Sequence, residues 1–239
     1  MTLRVALMRP IAEAERSAAL LRARGFEAVI APVMEVHGTA AEPPDAGFDA
    51  ALATSANAFA FLIPGARDWL RGLPLHVAGE RTAAAARAIG LDAVGEACAD
   101  ANSLAVSVIA RLQRPSRLLY LAGRDRKGEL ESALRAARHQ VVVVEVYVAA
   151  ARAWSAAEVA AVATCGAALH YSRRSAELSV ALCAGAGIGD HWRATLHGCI
   201  SEDAAEPLRS FAAKRIVTAS GAQESLLIDA LSSAAKSSL

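Results

Sequence analysis

The stretch Ala51–Leu62 reads ALATSANAFAFL: an apolar run stops at the small polar pair Thr54-Ser55, and apolar residues at helical spacing follow. That pattern is a strand delivering its end into the start of a helix, with Ser55 placed to cap the helix N-terminus. A relative recurs at Ala167–Leu182, AALHYSRRSAELSVAL, where Tyr171-Ser172 occupies the same junction. Two copies of one strand–turn–helix junction point to two similar lobes.

From the N-terminus, Leu3–Met8 is a short apolar strand ending at Arg9-Pro10, and proline suits the first turn of a helix. Ile11–Arg24 then reads as a helix with Ala14, Ala18, Leu21 and the flanking Leu20 on one face, stopped by Gly25. Phe26–Ile30 is a second strand, extended after Pro32 by Val33–Val36. Thr39–Gly47 (TAAEPPDAG) is a proline-rich polar linker. Phe48–Thr54 leads into the helix from Ala56, Leu75–Ala78 leads into Glu80–Ile89, and Leu91–Val94 is a short strand. Asn102 is placed to cap a helix over Ser103–Gln113, and the strand Arg117–Leu121 leads into Asp125–Arg138. Gln140–Ala150 (QVVVVEVYVAA) is β-branched and longer than one buried strand needs. Ser155 and Glu158 have the capping-box spacing for a helix over Ala156–Ala163. Strands at Ala167–Tyr171, Thr195–Ile200 and Arg215–Thr218 alternate with helices to the end, the signature of doubly wound parallel sheets.

Internal repeats sharpen this reading. The block from Val5 (VALMRPIAEAERSAALLRARGFEAV) matches that from Leu119 (LYLAGRDRKGELESALRAARHQVVV), with Arg9 opposite Gly123 and Leu20 opposite Leu134. LHVAGERTAAA from Leu75 matches LHGCISEDAAE from Leu196 after a one-residue gap. The simplest topology is discontinuous: 1–34 with 151–239 form one α/β lobe, and 40–144 form an inserted one. Both lobes are expected to be doubly wound, flavodoxin-like parallel sheets. The chain would cross between them at about 33–38 and 145–150, and two extended crossings suit pairing as a two-stranded β-ladder hinge beside a cleft.

Composition narrows the function classes. Among 239 residues the hydrophobic share is 54%, much of it alanine, while aromatics are 5%, which favours close helix–sheet packing over bulky anchors. Lys+Arg 25 against Asp+Glu 24 leaves a net charge of +1, so no global field argues for nucleic acid or a membrane surface. Cys98, Cys165, Cys183 and Cys199 form no CxxC pair and read as buried small hydrophobes rather than zinc ligands. The N-terminus runs straight into a strand and no apolar run approaches transmembrane length, so a cytoplasmic protein is expected. Nothing indicates a large apolar interface, and a monomer is the default.

In parallel sheets ligands bind beyond the carboxyl ends of the strands, where helix N-termini present N–H groups and partial positive charge. The strand exits are Arg9-Pro10, Thr54-Ser55-Ala56-Asn57, Gly79-Glu80-Arg81-Thr82, Gly123-Arg124-Asp125, Tyr171-Ser172-Arg173, Ser201-Glu202 and Thr218-Ala219-Ser220. Taken singly, each serine or threonine is equally well a helix cap and each arginine a solvated surface residue. Their clustering at exits suits a site that holds several carboxylates. Sharper motifs fail: Gly185–Gly189 (GAGIG) follows a helix and opens no βα turn, and there is neither a GxxxxGK[ST] loop nor a GxSxG elbow. His37, His76, His139, His170, His191 and His197 lack metal spacing, and His76 and His197 fall inside strands at equivalent repeat positions as core residues. Tyr147 lies on the second crossing, where it either packs or faces the cleft.

In order and spacing, Arg9-Pro10, Thr54-Ser55-Ala56-Asn57-Ala58, Ala78-Gly79-Glu80-Arg81-Thr82-Ala83, Tyr147 and Tyr171-Ser172 resemble uroporphyrinogen-III synthases over nearly the whole chain. The resemblance implies two α/β lobes on a two-stranded ladder and no cofactor or metal. The implied substrate is hydroxymethylbilane, a linear tetrapyrrole with acetate and propionate on every ring. Loss of its hydroxyl gives an azafulvene, attack by the last ring forms a spiro intermediate, and reclosure with that ring inverted releases uroporphyrinogen III and water. A transient handover from the upstream bilane-forming enzyme is the partner expected. Tyr147 matches the family tyrosine proposed to assist hydroxyl departure, by hydrogen bonding because a phenol is a weak acid. Thr82 matches a threonine of the middle lobe. Where the family often has Gly-x-Thr this chain has Ser201-Glu202-Asp203-Ala204, and Arg173-Arg174 stands where a Ser-Pro-type turn is commoner. The competing readings are a non-enzymatic two-lobed small-molecule-binding or sensor domain and, behind it, a nucleotide-binding α/β enzyme.

Overall fold

The computed structural model describes residues 2–42, 44, 47–93 and 95–236. The chain begins β1 (Arg4–Leu7), α1 (Ile11–Ala23), β2 (Glu27–Ile30) and β3 (Met34–Gly38). It continues through β4 (Ala50–Ala53), α2 (Asn57–Ala60), α3 (Pro64–Leu70), β5 (Leu75–Val77), α4 (Glu80–Ala88) and α5 (Ala101–Arg111). Next come β6 (Arg117–Gly123), α6 (Glu129–Ala136), β7 (Gln140–Ala151), α7 (Ala156–Val162), β8 (Ala167–His170) and α8 (Arg173–Gly185). The remainder is α9 (Gly189–Ala194), β9 (Leu196–Cys199), α10 (Glu202–Ser210), β10 (Arg215–Thr218) and α11 (Glu224–Lys236).

These elements divide into two compact units, Met1–Glu35 with Ala150–Leu239, and Val36–Ala149. The first unit carries a five-stranded sheet in the order β10-β9-β8-β1-β2, with parallel neighbours throughout. Read from β2, its strands follow the 2-1-3-4-5 order of flavodoxin-like sheets. The second sheet runs β3-β7-β6-β4-β5, parallel from β7 to β5. Here β6 and β7 take the places of β1 and β2, and β4 and β5 those of β8 and β9, as the sequence repeats require. The fifth place is reduced to isolated bridges from Leu75 to Ala93 and from Ala78 to Cys98. The strand expected over Leu91–Val94 is therefore a single bridge at Ala93, with Val94 outside the described residues.

Both sheets are buried on two faces. In β4, Ala51 and Ala53 join one core with Phe59, Ala83 and Ala86, while Ala50 and Leu52 join the other with Leu104, Val108, Leu130 and Leu134. In β1, Val5 and Leu7 pack under Ala14, Ala18, Leu227 and Leu231, while Ala6, with Met8 just beyond the strand, packs under Val162, Cys183 and Trp192. The period-2 alternation of a strand thus feeds two helical layers, and the small side chains let helices approach closely. Cys165, Cys183 and Cys199 are buried as expected, and Cys98 is half-buried.

Several boundaries differ from expectation. Leu20 is 46% exposed, while Leu21 is buried with Ala14, Ser17 and Ala18. The ungapped repeat pairs Val5 with Leu119, 114 apart, but Glu27 and Gln140, which open β2 and β7, are 113 apart. Strand register sets Arg4 beside Glu27 and Arg117 beside Gln140, so the structural offset is 113 throughout, and Leu134 corresponds to Leu21. Asp100, not Asn102, caps α5 by accepting from Ser103 N at 2.7 Å, so that helix starts earlier. Helix α6 begins at Glu129, because Arg124–Lys127 form a turn after β6. After β4 only one four-residue turn of helix forms, with Ala56 at its N-cap; Ser55 Oγ accepts from Asn57 N at 3.3 Å one place upstream. Of the expected linker over 39–47, Pro43, Asp45 and Ala46 lie outside the described residues.

The capping box of α7 forms as the spacing requires: Ser155 Oγ accepts from Glu158 N at 3.2 Å, and Glu158 Oε2 accepts from Ser155 N at 2.8 Å. Ser155→Ala should lower the stability of this unit by about 1 kcal/mol, read as a lower urea midpoint. An unchanged midpoint would show that Arg152, which holds both Glu158 oxygens at 2.7 and 3.0 Å, suffices to pin the turn. No helix among the described residues is long and apolar enough to cross a membrane.

Candidate functional site

Parallel strands place all their carboxyl ends on one side of a sheet, so each unit gathers its strand exits at one end. In the second unit the exit of β4 presents Thr54, whose Oγ1 shares a 2.8 Å hydrogen bond with Tyr120 Oη. Tyr120 is buried, and burial pushes its phenol above the ordinary value. At the next exit Gly79 adopts φ +84°, a conformation that favours glycine, and forms the N-cap of α4. It brings no side-chain acceptor to the first turn, in which Thr82 is buried and Arg81 exposed.

At the exit of β6 the ladder with β7 slips. Ala122 pairs with Glu145 but Gly123 pairs with Tyr147, a bulge that passes over Val146. The slip brings Tyr147 onto the α-carbon of Gly123: a methyl group there would lie 2.6 Å from Cε2 and Cζ and 2.8 Å from Oη. Arg124 N donates to the Tyr147 carbonyl at 3.0 Å, and Arg124 Nε reaches Glu145 Oε2 at 3.2 Å. Tyr147 is half-buried, its ring packed against the core beneath β4 and β7.

In the first unit the exits of β1 and β8 converge on one carboxylate. Arg9 lies over the Tyr171 ring, its guanidinium carbon 3.9 Å from the centroid. Tyr171 Oη donates to Glu224 Oε1 at 2.5 Å, and Arg9 Nη1 donates to the same oxygen at 3.2 Å and to Ser17 Oγ at 3.1 Å. Ser17 Oγ donates to that oxygen as well. Burial and the neighbouring carboxylate push the Tyr171 phenol far above its ordinary value. The charge of Arg9 is thus compensated within the unit, and its Nε is buried without a hydrogen-bond partner. Ser172 and Ser201 cap α8 and α10 by accepting from Ser175 N at 3.2 Å and Ala204 N at 3.3 Å. Arg173 is exposed and pairs with Glu177 at 3.1 Å and Asp203 at 3.3 Å, joining the first turns of α8 and α10. Ser220 is exposed between β10 and α11.

The structure therefore brings together Arg9 with Tyr171, Gly123 with Tyr147 and Arg124, and Gly79 with Thr82. Ser172, Ser201 and Arg173 serve the local caps and ion pairs that their residue types allow. Tyr120, Arg126, Glu131, Glu145 and Glu224 were not singled out by sequence. Glu224 lies 215 positions from the arginine it holds, and only the acid at the start of a helix beyond a strand exit hints at it. Chemically, the exits offer hydroxyls, guanidinium groups and helix N-termini, groups that suit carboxylates. Among the described residues no cluster of His, Cys, Asp or Glu is placed to hold a metal ion. The GAGIG run joins α8 to α9 and leads from no strand.

A model of the family described as "Uroporphyrinogen-III synthase HemD" matches residues 15–229. No curated protein matches the chain. The fold is shared with the uroporphyrinogen-III synthetase of Helicobacter pylori 26695, at 14% identity and a TM-score of 0.63, with 98% of this chain and 99% of that one covered. It is shared also with a mutant uroporphyrinogen III synthase of the extreme thermophile Thermus thermophilus, at 17% identity and a TM-score of 0.53, covering 99% of this chain and 100% of that one.

Proposed function

The chain belongs to the uroporphyrinogen-III synthase family, and we propose that its strand exits carry out that family's reaction on hydroxymethylbilane. The substrate loses its hydroxyl as water and closes with inversion of the last pyrrole ring, which makes the enzyme a cyclising hydro-lyase of tetrapyrrole and heme biosynthesis. Tyr147 donates a hydrogen bond to the departing hydroxyl. The azafulvene left behind is attacked by the substituted carbon of the last ring, and the spiro intermediate fragments and recloses. Much of the rate comes from holding two ends of one flexible molecule in reach of each other.

In this reading the acetate and propionate groups are held by N–H and O–H donors at Thr54, Ser55, Ala56, Asn57, Gly79, Thr82, Tyr171, Ser172, Ser201 and Ser220. Arg9, Arg81, Arg124 and Arg173 supply positive charge around them. Gly123 carries the ring of Tyr147. The protein acts as a cytoplasmic monomer and receives its substrate from the bilane-forming enzyme upstream. The observation that most supports this assignment is the pinning of Tyr147 at a strand exit.

The deciding experiment supplies the purified protein with enzymatically made hydroxymethylbilane and separates the product isomers chromatographically. The III isomer should dominate. Only the I isomer, formed at the spontaneous rate, would exclude the reading and leave a ligand-binding module in its place.

A further inference from the structure

The turn that carries Gly123 is gripped from three sides by one guanidinium. Arg126 Nη1 donates to the Gly123 carbonyl at 3.1 Å, the Arg124 carbonyl at 3.3 Å and Glu145 Oε1 at 3.0 Å. Its Nε donates to Glu131 Oε1 at 2.8 Å. The contacts join the end of β6, the first turn of α6 and the strand β7 just two residues before Tyr147. The Glu131 side chain is 5% exposed and that of Arg126 is 25% exposed, so this part of the network is largely removed from water. Glu131 Oε2 is buried with no hydrogen-bond partner, which leaves Arg126 as the group that compensates this carboxylate. A planar fork can satisfy two carboxylates and two carbonyls in different directions, whereas an ammonium group on a flexible stem lacks that geometry.

The ladder slip makes the position of this turn consequential. Because Gly123 pairs with Tyr147 rather than Val146, the phenol ring rests on the very residue whose carbonyl Arg126 holds. A shift of the turn moves the surface on which the ring lies.

We propose that Arg126 is a positioning residue for the reaction, setting the exit of β6 so that Gly123 holds the Tyr147 phenol where the substrate's hydroxyl departs. The proposal rests on the assignment of Tyr147 above. Arg126 itself touches no reacting atom.

The test uses the full chain, in which Tyr120, Tyr147 and Tyr171 are the 3 tyrosines, so ring-labelled tyrosine gives few NMR signals and Tyr147→Phe assigns one of them. Arg126→Met should shift the Tyr147 ring signal and leave that of Tyr171 in place. It should lower kcat by about tenfold with KM within about twofold, the pattern of lost alignment rather than lost binding. Arg126→Lys should not restore kcat. In a Tyr147→Phe background Arg126→Met should cause no further loss. If Arg126→Met does not fold, Glu145→Gln loosens one arm of the grip while keeping the Arg126–Glu131 pair, and should give the same signal shift in weaker form. An unmoved Tyr147 signal, or a kcat loss undiminished in the Tyr147→Phe background, overturns the proposal alone. Wild-type turnover in Tyr147→Phe overturns the assignment of Tyr147 and the proposal with it.

Discussion

Gly123→Ala is expected to lower kcat by about a hundredfold while the melting temperature moves by only a few degrees. The new methyl carbon would lie 2.6 Å from two ring carbons of Tyr147, whereas carbon atoms in contact settle at about 3.5–4.0 Å. Something must move by about 1 Å to restore that spacing. The clash falls on the far end of a side chain, so the ring swings before the backbone does and the fold survives. With Tyr147 in its proposed role, a displacement of that size costs on the order of a hundredfold. Tyr147→Phe keeps the ring and removes only the hydroxyl, so it should reproduce much of the loss. The double variant should be little worse than either single one, because both act on one hydroxyl. Steady-state kinetics beside thermal melts decide the matter. Wild-type kcat in Gly123→Ala would show that the placement of the ring does not matter to turnover.

The second large effect is acid sensitivity, and its largest source is two histidines buried side by side, with the buried His76, its pKa also lowered by burial, acting in the same direction. His197 Nε2 faces the Trp192 carbonyl at 2.8 Å, so that nitrogen carries the proton, and Nδ1 then accepts from His170 Nε2 at 3.0 Å. Both rings are 0% exposed. Burial lowers the His197 pKa from 6.5 to about 4, and burial beside His197 holds His170 well below its ordinary value. The unfolded chain takes up protons at both rings near the ordinary value of about 6.5, while the folded chain resists them. Stability is therefore complete above that value and falls as the pH drops from it toward the folded-state pKa. The slope is about 1.4 kcal/mol per pH unit for each histidine, so His197 alone removes about 2 kcal/mol by about pH 5. In a chain of this size that corresponds to a fall of roughly 4–8 °C in Tm, and His170 adds to it. Glu145, Glu158 and Glu202 have carboxyl pKa values lowered by their arginine and hydroxyl partners, so they remain ionised in this window. Calorimetry at about pH 7.5 and about pH 5 should show the fall, and His197→Gln, which can still donate to the Trp192 carbonyl, should flatten it. Equal Tm values at both pH values would mean that the pair takes up protons without unfolding.

The same histidine pair shows the reach of sequence reading. His197 was legible as a core residue because it occupies a strand at the repeat position of His76. His170 carried no such mark, and its contact with His197 depends on β8 and β9 lying side by side. Likewise the exits that gather Ser, Thr, Gly and Arg could be read, because which end of a strand meets a helix is a local matter. Their partners could not: Tyr120 is an interior strand residue until its hydroxyl is seen to reach Thr54, and Glu131 reads as an ordinary first-turn acid of α6.

By itself the sequence determined the alternation of strands and helices, the capping box at Ser155, the two-fold repetition of the unit and which end of each strand leads into a helix. All of these follow from side-chain periodicity and backbone preference over a few residues. Tertiary structure alone decided that the fifth strand of the second sheet shrinks to two bridges, and that the two units correspond at an offset of 113 residues rather than the 114 of the ungapped repeat. It also decided that the β6–β7 ladder slips so that Gly123 meets Tyr147 rather than Val146. Those outcomes depend on hydrogen-bond register and packing between segments distant in the chain, where no single residue type carries the signal.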